Sequence, residues 1–490
     1  MAMAKALIFR ETIHRLERIG LGYVLLLLGL VGLVGWGASS YLSQQWTRGL
    51  WVTGMNTPAY WGIYIVNFVL FIGLSAGGIL VAALVHAVGI ERFRPVARIA
   101  EILAISCLVL ATVFIMLDLG RPERFFHLLL YGRMSSPLVW DVIVINVYLA
   151  ISMALGYFST RADLIHCMRE LPRRRWLYRM LSLGYTDLSP QALERDHRIL
   201  RTLAFAAIPA AIGLHSVTAW IFGLVKARPG WHSALIAPLF VVSAIVSGLA
   251  LVIVAVVVSR RAFRLPIADH VVKDLGLLLA FLIPVLGYFL FAELLTVVYA
   301  REPAPLAVFR EMMVGSYAPI FWFNLLLGLL LPLLVLMNPP RRVVLAGSAV
   351  ATGVVAIAVT RFEIPLAGLL PFLPTQVALG IPPTAIVAVF WAFGLALPLL
   401  LLVSPKGLTP ARIGIAAALV VLGVVAERTN IVLPPLLERL MPYPAGPGYF
   451  PTLVEISIVV GTYALGVLAF AFLAKLFPLV ELSHEEREAA

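Results

Sequence analysis

Cysteine is almost missing from this chain of 490 residues: there are 2, Cys107 and Cys167. Neither sits in a CxxC or CxxCH spacing, so the sequence offers no ligand set for an iron–sulfur cluster, no c-type haem attachment and no disulfide framework. Charge is scarce too. At 13% charged and 61% hydrophobic, the chain has about half the charge of an average soluble domain and more apolar surface than a globular core can hide. With a mean hydropathy of +0.99, it reads as an integral membrane protein. The 37 basic residues against 25 acidic ones give a net charge of +12, yet the basic residues fall between the apolar runs. They mark membrane topology and not a nucleic-acid surface.

The apolar runs are about 18 to 27 residues long and often hydrophobic all round, which suits helices across a hydrocarbon layer and not the alternating strands of an outer-membrane barrel. The fold class is therefore all-α, a polytopic bundle of 10 to 12 spans. Windows bounded by charge, proline and glycine begin near Leu21, Trp61, Ile99, Leu138, Leu203, Ala234, Leu275, Pro319, Val343, Ile381, Ile413 and Leu453. This reading divides the chain into a charged amphipathic lead-in (1–20), a first four-helix bundle (21–158), a basic loop (159–202), a second four-helix bundle (203–337), C-terminal helices (338–480) and a tail (481–490). The lead-in lacks a small-residue cleavage signature and is not a signal peptide. Of the 37 Lys and Arg, 26 fall on the side of the N-terminus and 11 opposite, so the positive-inside rule puts both termini in the cytoplasm. Phe321-Trp322 and Phe390-Trp391 each lead to a proline and then to an Arg (Arg361, Arg428) about thirty residues on; a duplicated hairpin and a chance match both account for it.

Ionisable residues at membrane depth are costly and mark function or pairing. By this topology most lie at the non-cytoplasmic ends of the spans: Asp118, Arg121, Asp141, Glu293, Arg301, Arg361, Glu363, Glu427, Arg428 and Glu455. The densest cluster is Asp118-Leu119-Gly120-Arg121-Pro122-Glu123-Arg124-Phe125-Phe126-His127, followed by Ser136-Pro137-Leu138-Val139-Trp140-Asp141. Asp118 closes a helix, where the dipole favours its protonated form unless Arg121 or Arg124 compensates, whereas Ser136 and Pro137 open the next helix and put Asp141 one turn into it, where the ionised form is favoured. A salt-bridge network stapling the loop is the competing account. Asn67 and the run Gly73-Leu74-Ser75-Ala76-Gly77-Gly78 lie in the neighbouring span, where small residues let helices approach closely. His215 is an ordinary buried histidine or one ligand of a b-type haem; the other histidines near spans, His86 and His232, fall near opposite faces, which argues against haem.

The Asp118-Leu119-Gly120-Arg121-Pro122-Glu123-Arg124 run, the Ser136–Asp141 run and the glycine-rich second span together resemble the polysulfide reductase membrane-subunit family (NrfD/PsrC-like). The stretches His215–Trp220 and Pro229–His232, Glu293, and Pro451–Glu455 resemble its longer members, the hydrogenase-2-type and sulfite-reductase-associated anchors. The likeness runs to about Met337 and resumes near Ile413. It implies a subunit that binds a quinone, menaquinone or ubiquinone, and exchanges electrons with a ferredoxin-like iron–sulfur subunit on the outer side. That subunit in turn serves a molybdoenzyme, a hydrogenase or a multihaem cytochrome, with lipids as the remaining partners. It also implies a bacterial or archaeal inner membrane. In alternative complex III the positions matching Asp118 (a His there) and Asp141 are associated with the quinol site; Asp at 118 sets this chain nearer the reductase and hydrogenase anchors. On that likeness Asp118, Asp141 and His127 handle protons, Asn67, Arg121, Arg124, Trp140 and Asp141 hold the quinone, and Glu293, His215, Glu101 and Glu455 are candidates for a proton path. A secondary transporter and a membrane anchor without quinone chemistry are the alternatives; against the first, the only internal repeat is confined to the last third of the chain.

Overall fold

The computed structural model describes residues 16, 20–338, 343, 407–437 and 448–480. Among these residues all regular structure is helical, and ten helices are long and apolar enough to cross a membrane. They are α1 (Leu21–Ser40), α2 (Ile63–Ala82), α3 (Arg94–Asp118), α4 (Pro137–Glu170), α5 (Pro190–Gly223), α6 (Ile236–Ala262), α7 (Asp269–Ala300), α8 (Ala318–Met337), α9 (Pro410–Val432) and α10 (Leu453–Leu476). Seven begin within three residues of the starts read from the sequence, because charge, proline and glycine bound their apolar runs. The spans expected from Val343 and Ile381, with Arg361, Glu363, the second copy of the Phe-Trp hairpin, most of the lead-in and the tail, lie outside the described residues, Val343 itself apart.

Helix α2 is the pillar of the fold. Eighteen of its 20 residues are buried, and it packs against α3 on one side and α6 on the other. The contact is made by glycine. A Cβ on Gly77 would overlap the backbone of Gly248 in α6, and one on Gly248 would overlap Gly77; a Cβ on Gly78 would overlap the Ala100 carbonyl of α3. The small-residue run therefore does what its composition predicts. Similar crossings join Gly37 of α1 to Gly461 of α10, and Gly328 of α8 to Gly423 of α9. At the rim, α1 buries Leu30 and Gly37 alone among its 20 residues and turns its leucines outward, as a lipid-facing helix should.

Within the stretch expected as a basic loop, 159–202, helix α4 runs on to Glu170 and α5 begins at Pro190, where the Ser189 hydroxyl accepts a hydrogen bond from the Ala192 amide as N-cap. The charges that by sequence end the spans are paired inside. Arg98, fully buried in α3, donates to Asp163 at 2.5 Å, to the Ser159 carbonyl at 2.9 Å and to the Pro478 carbonyl beyond α10 at 2.9 Å, while Arg161 pairs with Asp196 of α5. A buried Arg with carboxylate and carbonyl partners continues a helix instead of breaking it.

The Gly77–Gly248 crossing leaves no room for a side chain. Gly77→Leu is expected to cost at least about 3 kcal/mol and to abolish a cooperative thermal transition in detergent. Gly29→Leu, at a lipid-facing position with nothing within 4 Å of a Cβ, is expected to change the midpoint little.

Candidate functional site

The two carboxylates singled out by sequence sit at the same end of the bundle, on either side of α2. Asp118 is the last residue of α3. Its Oδ1 is buried and the side chain makes no hydrogen bond among the described residues, while Glu455 and Tyr64 stand within electrostatic range. Around it runs a chain of buried polar groups. Gln45 donates to the Leu117 carbonyl at 2.6 Å and accepts from the Tyr64 hydroxyl at 2.7 Å; Asn67 accepts from the Tyr463 hydroxyl at 2.6 Å. Phe71 stacks on Phe114 with centroids 5.6 Å apart, and Tyr463 lies edge-on to both. The result is a polar chain backed by an aromatic wall.

Glu455 closes this cluster and is fully satisfied. Completely buried in the first turn of α10, it accepts from the amides of Gly54 at 2.7 Å and Thr452 at 2.8 Å and from the Tyr449 hydroxyl at 2.8 Å, within a capping box with Thr452. Tyr449 lies in the segment before α10; burial, and next the Glu455 carboxylate, push its hydroxyl above the ordinary tyrosine value and keep it a donor. These contacts make Glu455 a structural hub that ties the start of α10 to residues before α2.

Asp141 lies across α2, one turn into α4 as its Ser136-Pro137 start predicts, although the Ser136 side chain makes no capping bond. It is 1% exposed; Oδ1 accepts from Thr218 of α5 at 2.6 Å, and Oδ2 has no partner among the described residues. One turn before Thr218, His215 is buried with both ring nitrogens unpartnered and with Arg428 in electrostatic range. The Arg428 guanidinium lies 4.6 Å over Phe240 and donates to Ser243 at 2.9 Å; Ser243 donates to Glu427 at 2.9 Å. Oε1 of Glu427 and Nη1 of Arg428 face each other as an ion pair at 3.6 Å without a hydrogen bond, and Nε of Arg428 has no hydrogen-bond partner among the described residues. Trp61, Phe222 and Trp231 pack together next to this group at centroid distances of 5.1 to 5.5 Å. Several unpartnered buried polar atoms in one region are costly unless a ligand or water takes them.

Other sequence candidates stand elsewhere. His127, Arg121 and Arg124 are exposed; His127 meets the ring of Tyr131 edge-on, and among the described residues neither arginine pairs with Asp118. Arg121 and Arg124 bracket the turn Pro122–Arg124, and His127 lies on the short helix Phe125–Tyr131 that follows it. Asn67 spends one amide N–H on the Ile63 carbonyl one turn back and its oxygen on Tyr463, which leaves one N–H. The Trp140 indole N–H is taken by the Met134 carbonyl. Glu293 of α7 accepts from Ser233 at 2.7 Å. Glu101 is buried at the opposite end, with Ser159 at 2.5 Å and His86 at 3.2 Å. Sequence reasoning missed Gln45, Tyr64, Tyr449 and Tyr463. Tyr463 lies 396 positions from Asn67, and no local spacing announces such a pair.

The sequence profile of the family "Polysulphide reductase, NrfD" matches residues 51–372. The chain is 34% identical over 340 residues to a putative dimethyl sulfoxide reductase membrane subunit of Halobacterium salinarum, covering 68% of this chain and 73% of that protein. It is 31% identical over 344 residues to a selenate reductase subunit of Mesobacillus selenatarsenatis, covering 68% and 79%. It is also 27% identical over 327 residues to an Hdr-like menaquinol oxidoreductase integral membrane subunit of Archaeoglobus fulgidus, covering 66% and 73%.

The hub and the orphan respond differently to the same chemical change. Glu455→Gln turns an acceptor oxygen into a donor facing N–H groups and is expected to cost about 1–3 kcal/mol, read as a lower thermal midpoint in detergent. Asp118→Asn removes no hydrogen bond and is expected to leave that midpoint within about 0.5 kcal/mol of the parent.

Proposed function

Because the chain belongs to the polysulphide reductase, NrfD family, we propose that it is the membrane subunit of a quinone-linked oxidoreductase complex. In this reading it exchanges electrons between the quinone pool and an iron–sulfur partner docked at the bundle end that carries Asp118 and Asp141. The observation that carries it is the set of buried, unpartnered polar atoms at that end: Asp118 Oδ1, Asp141 Oδ2 and the two His215 nitrogens, one a donor and one an acceptor in the neutral ring. A quinone fits such a place, since its ring wants apolar and aromatic walls while its two oxygens want a few convergent polar groups. The menaquinol named for the Archaeoglobus relative favours a menaquinone-class ligand. The reductase names of the other two relatives favour a molybdoenzyme-type reductase as the partner. The basic surplus on one side supports a cytoplasmic location for both chain ends in a bacterial or archaeal inner membrane.

A bound quinol supplies two electrons and two protons, and the residues here manage the protons. Thr218 fixes Asp141 by its Oδ1 and aims Oδ2 free as a proton acceptor. His215, one turn along α5, offers an imidazole to pass that proton on, with Arg428 beside it to bias its charge. Asp118, at the negative end of the α3 dipole and without an arginine partner, is suited to alternate between protonated and ionised forms. The aromatic wall of Phe71, Phe114 and Tyr463 excludes water from the face of α2 next to Asp118.

The test is quinol-analogue oxidation by the complex purified with its partner subunits. Asp141→Asn is expected to lower turnover about 100-fold or more without loss of partner subunits, and Thr218→Val, which frees Asp141 to rotate, to lower it less. Full turnover in Asp141→Asn and Asp118→Asn together would overturn the assignment.

A further inference from the structure

The connection between α4 and α5 does not simply turn back into α5. After Glu170 the chain makes a short turn (Pro172–Arg174) and a seven-residue helix, Arg175–Leu181, and ends in a reversal at Leu183 and Gly184, both in the left-handed region with φ of 53° and 75°. One side of this segment is bound to the bundle. Tyr178 is fully buried and donates to the Leu476 carbonyl at 3.2 Å, in a cluster with Leu164, Cys167 and Met168. The Tyr157 hydroxyl donates to the Ser182 carbonyl at 3.1 Å. Tyr157 lies thirteen residues before the end of α4, roughly 20 Å along its axis. The segment has therefore doubled back along α4 toward the membrane by much of that length, with Leu183 at its tip.

Its other side is amphipathic in a particular way. Trp176, Met180 and Leu183, spaced four and three residues apart, form a stripe 70%, 59% and 79% exposed. Arg173, Arg175 and Arg179 flank the stripe, exposed, and none makes an ion pair among the described residues. An apolar stripe tipped by leucine and carrying a tryptophan, with unpaired guanidiniums behind it, matches the boundary between acyl chains and phosphates. Guanidinium forks match phosphate oxygens. A protein partner in the aqueous phase would instead meet a surface whose most exposed apolar residue is turned back toward the membrane.

We propose that residues 172–184 form a wedge that returns to the membrane and binds anionic phospholipid, with Trp176, Met180 and Leu183 entering the acyl boundary and Arg173, Arg175 and Arg179 holding the lipid phosphate. The proposal rests on the membrane fold and is independent of quinone chemistry.

The test uses the full complex, purified in mild detergent, reconstituted in nanodiscs of phosphatidylcholine with and without phosphatidylglycerol, and then returned to detergent. Retained phosphatidylglycerol per protein is measured by lipid extraction and mass spectrometry. Retention by the parent protein is expected, with a fall of about tenfold or more in Arg173→Gln/Arg175→Gln/Arg179→Gln, largely spared in the triple Lys variant. Leu183→Ser is expected to lower retention with the arginines intact. Should the Gln variant fail to assemble, raising the salt concentration on the parent protein supplies the same readout, and retention is expected to fall with salt. Retention that ignores both charge removal and salt would overturn the proposal. So would a Gln variant that keeps its lipid but loses a co-purifying subunit, which would make this surface a protein dock.

Discussion

The arrangement hangs on how closely α2 can be approached. Lipid gives helices no hydrophobic reason to associate, so packing contact and polar bonds must hold the bundle together. With glycine at 77, 78 and 248, α3 and α6 lie against the α2 backbone itself. Every group described at the Asp118 and Asp141 end depends on that separation. Asn67, Trp61 and Gly73 all belong to α2 or its lead-in and each faces a different neighbour: Tyr463 of α10, Phe222 of α5 and Arg428 of α9. A side chain at the crossing would move those neighbours together.

Polar groups in this bundle divide into those that hold it and those left waiting. Arg98 with Asp163 and Arg161 with Asp196 are buried ion pairs, Glu455 has three donor groups, and these contacts fix helix ends. Asp141 and His215 are as deeply buried, and Asp118 is half-buried with its Oδ1 covered, yet none of the three has an ion-pair partner among the described residues. Each such atom costs about 1–3 kcal/mol when unpaired in a low-dielectric interior. Burial alone does not separate the two sets; the ion pairs and multiple donors of the first do.

Much of this is legible in the chain itself, because local signals encode helix ends and small-residue faces. Ser136-Pro137 places Asp141 one turn into α4, Asp118 reads as the end of α3, and the Gly73–Gly78 run marks the close crossing. What escapes is long-range or already satisfied. Arg121 and Arg124 neighbour Asp118 in sequence but are exposed at the turn Pro122–Arg124. The bonds that already hold Asn67, to an i−4 carbonyl and to a tyrosine from far along the chain, leave no local trace. The charges of 161–201 read as a loop because a sequence window sees Arg161 and Asp163 but not Asp196 and Arg98, which neutralise them.

The contacts of α10 carry a consequence for biogenesis. Gly461 seats on Gly37 of α1, Tyr463 bonds Asn67 of α2, Glu455 bonds Gly54, and Arg98 of α3 grips the carbonyl of Pro478. Groups on and around α1 to α3 are thus completed by contacts 396 and 401 positions further along the chain. Until α10 has been made and has docked, Asn67 lacks Tyr463 and Gly54 lacks Glu455. This end of the bundle therefore reaches its final form only after the intervening helices have been synthesised.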